Sequence, residues 1–521
     1  MNNTAALYPN RVNIINFIRG FEPREPIDLL EPVREQLALV RKHGLPATWL
    51  LQYDALIDPA FADLLLREAD ETQEIGVWFE VVQPLADKAG VPWRGRYAWD
   101  WHAHIAFTVG YTPPEREKLA DALMEEFRAR FGAYPQSVGS WFLDAHTLAY
   151  LSDKYGIVAS CNCKDQWGTD GYTLWGGYYN QAYYPSRRNG FMPAQTEAGQ
   201  IPVPVFRMLG SDPIYQYDAR LGGNGQSVIT LEPVYSGDEG GGGIPEWVRW
   251  FYEVNFRPEQ VSFGYTQVGQ ENSFGWAAMK EGLTDQVELL AAARTEGKLR
   301  VETLADSGRW FRRRYPLTPA SSISALTDWR DEGRQSVWFY NRYYRLNLLN
   351  NNGEIRIRDI HLFDECYEER YLRETCPDRY SRYDTLPVVD SALWSVGEGA
   401  AGIAPVLYDD EGKEAPLSAR SMETDESVPG ELTILIRLDG EEELRIRCAE
   451  RSVSFISERP SWGLRLSWGE TAELPGIKLS PGAIDYTYHG HSYRVHSTAR
   501  MTAVSNGIDF RADGRELTLR F

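Results

Sequence analysis

The run Val12-Asn13-Ile14-Ile15-Asn16-Phe17-Ile18-Arg19-Gly20-Phe21-Glu22-Pro23, followed after a helical stretch by Lys42-His43-Gly44-Leu45-Pro46-Ala47-Thr48-Trp49, decides the fold. Residues 12–18 are apolar apart from two asparagines and read as a buried strand. Leu29, Leu30, Val33, Leu37 and Val40 then recur at helical spacing until His43-Gly44 closes the helix, and residues 47–52 form a second apolar run. A strand, a helix and a strand within about thirty residues make a βα unit, whose strands lie parallel because the helix crosses between them.

Outward from this unit the rhythm repeats. Residues 56–71 read as a helix, 75–82 as a strand, 114–131 as a helix opened by Pro113-Pro114-Glu115, 137–142 as a strand, and 145–155 as a helix closed by Gly156. Residues 261–268 and 285–296 supply a last strand and helix. Two stretches interrupt the pattern, a Trp- and His-rich segment at 91–111 and a Gly-, Tyr- and Trp-rich one at 165–190. Such long insertions are where binding loops lie. Beyond Tyr315-Pro316 short alternating strands at 336–340, 354–360, 432–438 and 444–446 take over. The expected fold class is α/β, a (β/α)7-type barrel followed by an all-β sandwich domain. The expected division is a catalytic barrel at 1–316 and a sandwich at 325–521, joined by a linker so short that the two must pack closely. The glycines at 240–243 lack the Lys-Ser/Thr of a phosphate-binding loop.

The chain has 521 residues, 54 basic and 74 acidic side chains and a net charge of −20, a field that repels phosphate backbones and anionic lipid heads. Neither nucleic acid nor a membrane is an expected partner. Hydrophobic residues at 43% and charged residues at 25% are the balance of a chain that folds. No apolar run approaches the length of a membrane span and the first residues lack a signal-peptide pattern, so the expected location is cytoplasmic. The five cysteines are odd in number and scattered, and Cys161-Asn162-Cys163 is too tight for a zinc or redox pair, so neither a disulfide framework nor a structural metal is expected.

The opening stretch, Asn16 to Pro23 and then Lys42 to Trp49, resembles polysaccharide deacetylases, which read TFDDGP, helix, KHGVKATFF in the same layout, and the related barrel glycosidases of families 38 and 57. Deacetylases of this kind hold a divalent metal through an Asp of the first motif and two His of a second, so that a metal-activated water attacks the acetyl carbonyl. This sequence departs from them twice: Arg19-Gly20 stands at the Asp-Asp position, and Glu74-Ile75-Gly76-Val77-Trp78-Phe79-Glu80 carries no His. Gly139-Ser140-Trp141-Phe142-Leu143-Asp144-Ala145 looks like the family 57 strand that ends in the nucleophile, with Asp144 in place of Glu. Gly269-Gln270-Glu271-Asn272-Ser273-Phe274-Gly275-Trp276 is similar to the motif carrying the acid/base. The resemblance covers about the first 310 residues at the level of fold and implies a carbohydrate-active enzyme.

Glycoside cleavage requires one protonated carboxyl and one ionised carboxylate on opposite faces of the sugar. In a parallel barrel these sit at strand C-termini, where Glu80, Asp144 and Glu271 all fall. Asp144 also opens a helix, so N-capping accounts for it equally. Glu271 stands among amides beside Phe274 and Trp276, a setting that orients a carboxyl and raises its pKa. Arg19 would pair with Glu80, Asp144 or a substrate carboxylate. Trp99-Asp100-Trp101-His102-Ala103-His104 offers sugar-stacking indoles, and Asp100, His102 and His104 together form an alternative metal set. Asp165, Trp167, Asp170, Tyr172, Trp175, Tyr178 and Tyr179 form a second aromatic and carboxylate stretch suited to sugar binding. Asp359-Ile360-His361-Leu362-Phe363-Asp364 is expected to seal the domain interface.

The expectation is a glycoside hydrolase cleaving an oligosaccharide with a metal-independent carboxylate pair and no cofactor. Glu271 is its acid/base and Asp144 its nucleophile or base. Glu80, Arg19, Trp78, Trp101, His102, His104, Asp165, Trp167, Gln270 and Trp276 bind substrate. The alternatives are a divergent metal-dependent deacetylase and a non-catalytic carbohydrate-binding protein; assembly into a homo-oligomer is open.

Overall fold

A computed structural model describes residues 10–219, 228–396, 400–408, 414–415, 417–439 and 442–521, leaving out the side chains of 167–169 and 415. Strand β1 (Asn10–Ile18) is buried along its whole length. It is central to a parallel sheet with β2 (Ala47–Leu51), β3 (Gln73–Trp78), β4 (Ser137–Gly139), β5 (Ala159–Cys163), β6 (Val205–Met208) and β7 (Tyr265–Val268). Neighbours pair in parallel in the order β7-β1-β2-β3-β4-β5-β6. A further strand, β8 (Leu299–Glu302), pairs with the first half of β1. The sheet curls into a barrel of the (β/α)7 type. Burial on both faces is why β1 and β2 read as near-continuous apolar runs.

A short strand, Ala182–Tyr183, pairs antiparallel with the free edge of β6, and amide side chains link this edge of the sheet to β7. Gln267 on β7 accepts from the Leu209 backbone N–H through Oε1 at 2.9 Å, and its Nε2 donates to Ile15 O at 3.2 Å. Asn180 donates to Tyr265 O at 3.2 Å, and Gln181 donates to Phe263 O.

The helices outside the sheet include α1 (Leu30–Lys42), α2 (Pro59–Glu68), α3 (Pro113–Phe131), α4 (Ala145–Tyr155), α5 (Pro245–Asn255), α6 (Trp276–Thr295) and α7 (Leu304–Arg314). Their starts follow capping chemistry. Asp58 caps α2 through Ala60 N with Pro59 in the first turn, and Thr112 and Glu115 form a capping box on α3. Asp58-Pro59 divides the helix expected at 56–71 into Tyr53–Ile57 and α2. The helix expected at 285–296 starts earlier, at Trp276, and the strand expected from 261 starts at Tyr265.

After α7 the chain is antiparallel β. A ten-stranded sheet begins with Ser321–Ala325, within the stretch expected as linker, and an eight-stranded sheet includes Leu432–Leu438 and Glu443–Ala449. Val337, Leu346 and Ile357 of one share a core with Ile434, Ile446 and Phe455 of the other, which makes a sandwich. The sandwich is fused to the barrel: Ile323, Trp338 and Tyr340 belong to the barrel's own core cluster, and Trp338 stacks on Tyr179 with ring centroids 3.6 Å apart. Asp359 and His361 seal this junction as expected. Arg345 spans from Asp165 (2.8 Å) to Asp359 (2.6 Å), and His361 meets Asp390 at 3.0 Å. Among the described residues no helix is long and apolar enough to cross a membrane.

Candidate functional site

Strand C-termini converge on a cleft of about 360 Å³ lined by Glu22, Arg24, Trp141, Asp170, Tyr172, Glu232, Tyr235, Glu271 and Phe274 among others. That size suits a small ligand. At its base lies Arg19, the residue immediately after β1. Arg19 is fully buried, its guanidinium 3.9 Å over the ring of Trp99 and facing Glu271 at 3.2 Å, Glu80 at 3.5 Å, and Asp170 and Glu22 at 3.9 Å each. Burial pulls its pKa down, and the surrounding carboxylates more than reverse this, so the net direction is up.

Local sequence explains how Arg19 and Glu271 come to face each other. Asn272 accepts from the Arg19 backbone N–H at 2.9 Å and donates to Arg19 O at 2.8 Å, clamping the end of β1 to the segment after β7. Gly269 adopts φ +108, and a Cβ there would lie 2.2 Å from Ile15 O; only glycine lets these two segments approach so closely. Glu271 is 3% exposed, with Oε1 accepting from the Ser273 hydroxyl at 2.5 Å and Oε2 turned to Arg19. Burial raises its pKa, Arg19 pulls against that, and Asp170 adds to it.

Glu80, two residues past β3, accepts at Oε2 from Gln52 at 2.8 Å and from the Trp99 indole at 2.9 Å. Burial pushes its carboxyl up to about 7 against the pull of Arg19. Glu232, on the segment that follows β6, is 5% exposed. Burial, with the charge of Glu271 added, raises it to about 8, offset in part by Thr230 and by the amide of Gln270 beside it. At the rim, Arg24 binds Glu22 at 2.7 Å and Asp170 at 3.1 Å, which leaves Glu22 below its ordinary range despite burial. Asp170 holds φ +36 ahead of Gly171, a left-handed conformation that turns its carboxylate toward Arg24 and Arg19.

Glu271, Arg19, Glu80 and Gln270 are thus gathered as the sequence suggests; the remaining site residues lie elsewhere. Asp144 corrects the carboxylate pair: it is fully buried and caps α4, accepting from Thr147 N (2.9 Å), Thr147 Oγ1 (2.7 Å), Thr108 Oγ1 (2.5 Å) and Arg116 (2.8 Å). Burial would raise its pKa, but Arg116 and these hydroxyls hold it below the ordinary range. With its oxygens occupied it is the structural cap, and Glu232 stands in the cleft instead. Trp78 is buried under the cleft, stacked on Phe17 at 4.2 Å, so Trp141 and Tyr172 provide the aromatic wall. Asp165 belongs to the junction with the sandwich through Arg345. Trp101 stands behind the rim, with Arg24 5.3 Å over its ring, and Trp276 opens α6 and packs against the core. Trp167 lies outside the residues whose side chains are described.

Asp100, His102 and His104 do not converge as a ligand set. Arg96 takes both Asp100 oxygens, at 2.8 and 2.9 Å, and His104 Nδ1 lies 3.0 Å from Asp378 O. Burial works against the Asp100 carboxyl, yet Arg96 brings it down to about 2. Among the described residues the set of three such side chains with ligand atoms inside 4.8 Å is Asp359, His361 and Asp390, where Arg345 already occupies both oxygens of Asp359.

Glu232 and Trp141 line the cleft without being singled out in the sequence. Trp141 stands inside the motif whose signal is Asp144. Glu232 lies 24 residues past the end of β6 in the sequence, so no spacing announces it.

No family model matches the chain, and no curated protein does. Solved structures do. A protein from Parabacteroides distasonis, provisionally described as a glycoside hydrolase/deacetylase, is 18% identical over 72% of this chain and 88% of its own, with a TM-score of 0.50. A provisionally described polysaccharide deacetylase from Mycobacterium smegmatis is 12% identical over 59% of this chain and 91% of its own (TM-score 0.36). A family 57 branching enzyme from Thermococcus kodakaraensis is 10% identical over 59% and 71% (TM-score 0.30). The first of these likenesses shows a shared fold; the other two are too distant to carry an argument.

Proposed function

We propose that this chain hydrolyses an O-glycosidic bond of an oligosaccharide bound in the cleft, with Glu271 as the carboxylate next to the anomeric carbon. The observation that carries the reading is Glu271 itself: a carboxylate at a barrel strand's C-terminal end, lining the cleft, oriented by Ser273 and backed by the buried guanidinium of Arg19. A glycosidic bond breaks through a cationic, oxocarbenium-like state, and a fixed anion beside the anomeric carbon stabilises it. Arg19 offsets part of the cost that burial puts on the Glu271 carboxylate and is itself encircled by carboxylates, so it serves as their counter-ion rather than as a receptor for an acidic sugar. Trp141 and Tyr172 offer aromatic faces to pyranose C–H groups, and Asp170 and Glu22 accept hydroxyls. The neighbour described as a glycoside hydrolase/deacetylase is in keeping with a carbohydrate substrate.

The test is a panel of plant and bacterial oligosaccharides offered to wild type and Glu271→Gln, with reducing ends and acetate both quantified. Release of sugar by wild type, lost at least about a hundredfold in the variant, is expected. Acetate release that survives the substitution would overturn the reading in favour of deacetylation elsewhere, and sugar binding without turnover would make the chain a binding protein.

A further inference from the structure

Hydrolysis at Glu271 leaves a proton unaccounted for, because an alkoxide leaves too slowly and the departing oxygen must be protonated as its bond to the anomeric carbon breaks. Resting on the glycosidase reading, the geometry points to Glu232 as the catalytic proton donor opposite Glu271, taking the acid role that the sequence analysis gives to Glu271 and leaving Glu271 the role given there to Asp144.

Four observations meet at this side chain. Glu232 lines the same cleft as Glu271 while 95% withdrawn from solvent, since its exposure is 5%. Its backbone is rigid: Leu231 N donates to Gly210 O at 3.0 Å, Gly242 N to Thr230 O at 2.9 Å, and Gln286 from α6 to Leu231 O at 2.9 Å. A turn follows, closed by Tyr235 N on Glu232 O at 3.2 Å. The carboxyl itself meets two neutral groups, the amide of Gln270 and a long hydrogen bond from Thr230 Oγ1 at 3.4 Å, unlike Asp144, which faces Arg116. Finally, the ion pairs of Arg19 reach Glu271, Glu80, Asp170 and Glu22, and Glu232 is not among them.

Two buried carboxyls in one cleft, only one of them with a cation, divide a single negative charge unequally. Glu271 keeps it and Glu232 keeps the proton; the rise of Glu232 to about 8 agrees with this division. In the reaction the Glu232 proton passes to the glycosidic oxygen, the C–O bond breaks with its electrons going to that oxygen, and the first sugar leaves as an alcohol. If Glu271 acts as base, it takes a proton from the water that adds to the anomeric carbon, and that proton returns to Glu232 through solvent. If it acts as nucleophile, its covalent bond to the sugar is broken by a water whose proton Glu232 takes back. Either way one water is consumed and both carboxyls are restored.

Glu232→Gln keeps the shape of the side chain and removes the transferable proton. A proton donor matters for a poor leaving group and little for a good one. The variant is therefore expected to lose at least about a hundredfold in kcat/KM on the oligosaccharide yet stay within about tenfold of wild type on the matching dinitrophenyl glycoside, and to lose the alkaline limb of the pH profile. Equal losses on both substrates, or oligosaccharide activity within about threefold of wild type, would overturn the assignment. Difference infrared spectroscopy of wild type against Glu232→Gln at pH 7 needs no substrate: it is expected to show a protonated carboxyl that disappears in the variant, and its absence overturns the proposal. A wild type inert on every glycoside but retaining that band would instead discard the glycosidase reading while leaving the proton on Glu232.

Discussion

Replacing Arg19 with Met tests the charge arrangement at its root. The side chain is fully buried, with Glu271 at 3.2 Å and Glu80 at 3.5 Å, so at an effective dielectric constant of about 20 each pair is worth about 5 kcal/mol before solvation is counted. The loss cannot reach that sum, because carboxyls stranded without a cation protonate instead. Removing one partner of a buried pair costs about 3–5 kcal/mol, the equivalent of moving two carboxyls up by a combined two to four pKa units at about 1.4 kcal/mol each. The sign follows from the direction of the shift. Burial already lifts Glu80 from an ordinary 4.5 to about 7 with Arg19 present, and without it both Glu80 and Glu271 rise further. A carboxyl raised in the folded state favours folding while protonated, and that stability drains away as pH climbs from the unfolded value through the folded one. Arg19→Met is therefore expected to trail wild type by about 1–2 kcal/mol at pH 5, mostly lost contact with Trp99, and by about 3–5 kcal/mol at pH 8. Urea unfolding at the two pH values, followed by both fluorescence and circular dichroism, reads the difference. A deficit of the same size at both pH values, or under about 1 kcal/mol at pH 8, would refute the view of Arg19 as the counter-ion of the site.

Other perturbations separate catalytic from structural groups. Asp144→Asn removes the charge facing Arg116 within a cap, so it is expected to cost about 3–5 kcal/mol in melting or urea experiments while the folded fraction keeps its turnover. A hundredfold fall in kcat at unchanged stability would return Asp144 to the catalytic pair. Lys164 is buried without a hydrogen bond at Nζ, and burial, aided by Arg207, lowers it to about 7. Because a depressed lysine pKa removes stability as pH falls from the unfolded 10.5 toward that value, Lys164→Met is expected to gain about 2–4 kcal/mol at pH 6–7 and almost nothing near pH 10; a pH-independent gain contradicts it. Trp338→Ala, which empties the stack on Tyr179, is expected to cost about 3–5 kcal/mol, and a change below about 1 kcal/mol would mean that barrel and sandwich are not fused through that core.

How far the sequence discloses this molecule depends on whether a signal is local. Strands β1 and β2 and helix α1 are legible because burial on both faces demands an apolar run and helical spacing follows at once. Strand β6 is not: Val205-Phe206-Arg207-Met208 carries a fully buried arginine whose Nη1 donates to Tyr178 O at 2.6 Å and whose Nη2 lies 3.6 Å from Asp165, partners too distant in sequence to foresee. Glu271 is visible through its amide-rich neighbourhood. Asp144 shows the limit of that reading, since a strand-end nucleophile and a helix cap need the same residue in the same place. The arginine and threonine that decide between them arrive from α3 and from the segment before it. His102 and His104 fail for a geometric reason: alternation on an extended chain would aim both rings alike at a metal, but Ala103–Ala106 is a helical turn. The rings lie 5.9 Å apart with His104 directed at a backbone carbonyl.

The amide bridge between β6 and β7 bears on stereochemistry. Glu232 follows one of these strands and Glu271 the other, so on the glycosidase reading the pair straddles the place where, among the described residues, β7 meets β6 and its short neighbour Ala182–Tyr183 through side chains. Retaining and inverting hydrolysis differ chiefly in carboxyl separation, about 5–5.5 Å against about 6.5–9.5 Å. In most of the wall that spacing would be frozen by strand pairing at about 4.8 Å per strand. On the glycosidase reading it depends here on the reach of Gln267, Asn180 and Gln181, so exchanging these amides is expected to shift the anomeric outcome while the strand pairing of the barrel stays intact.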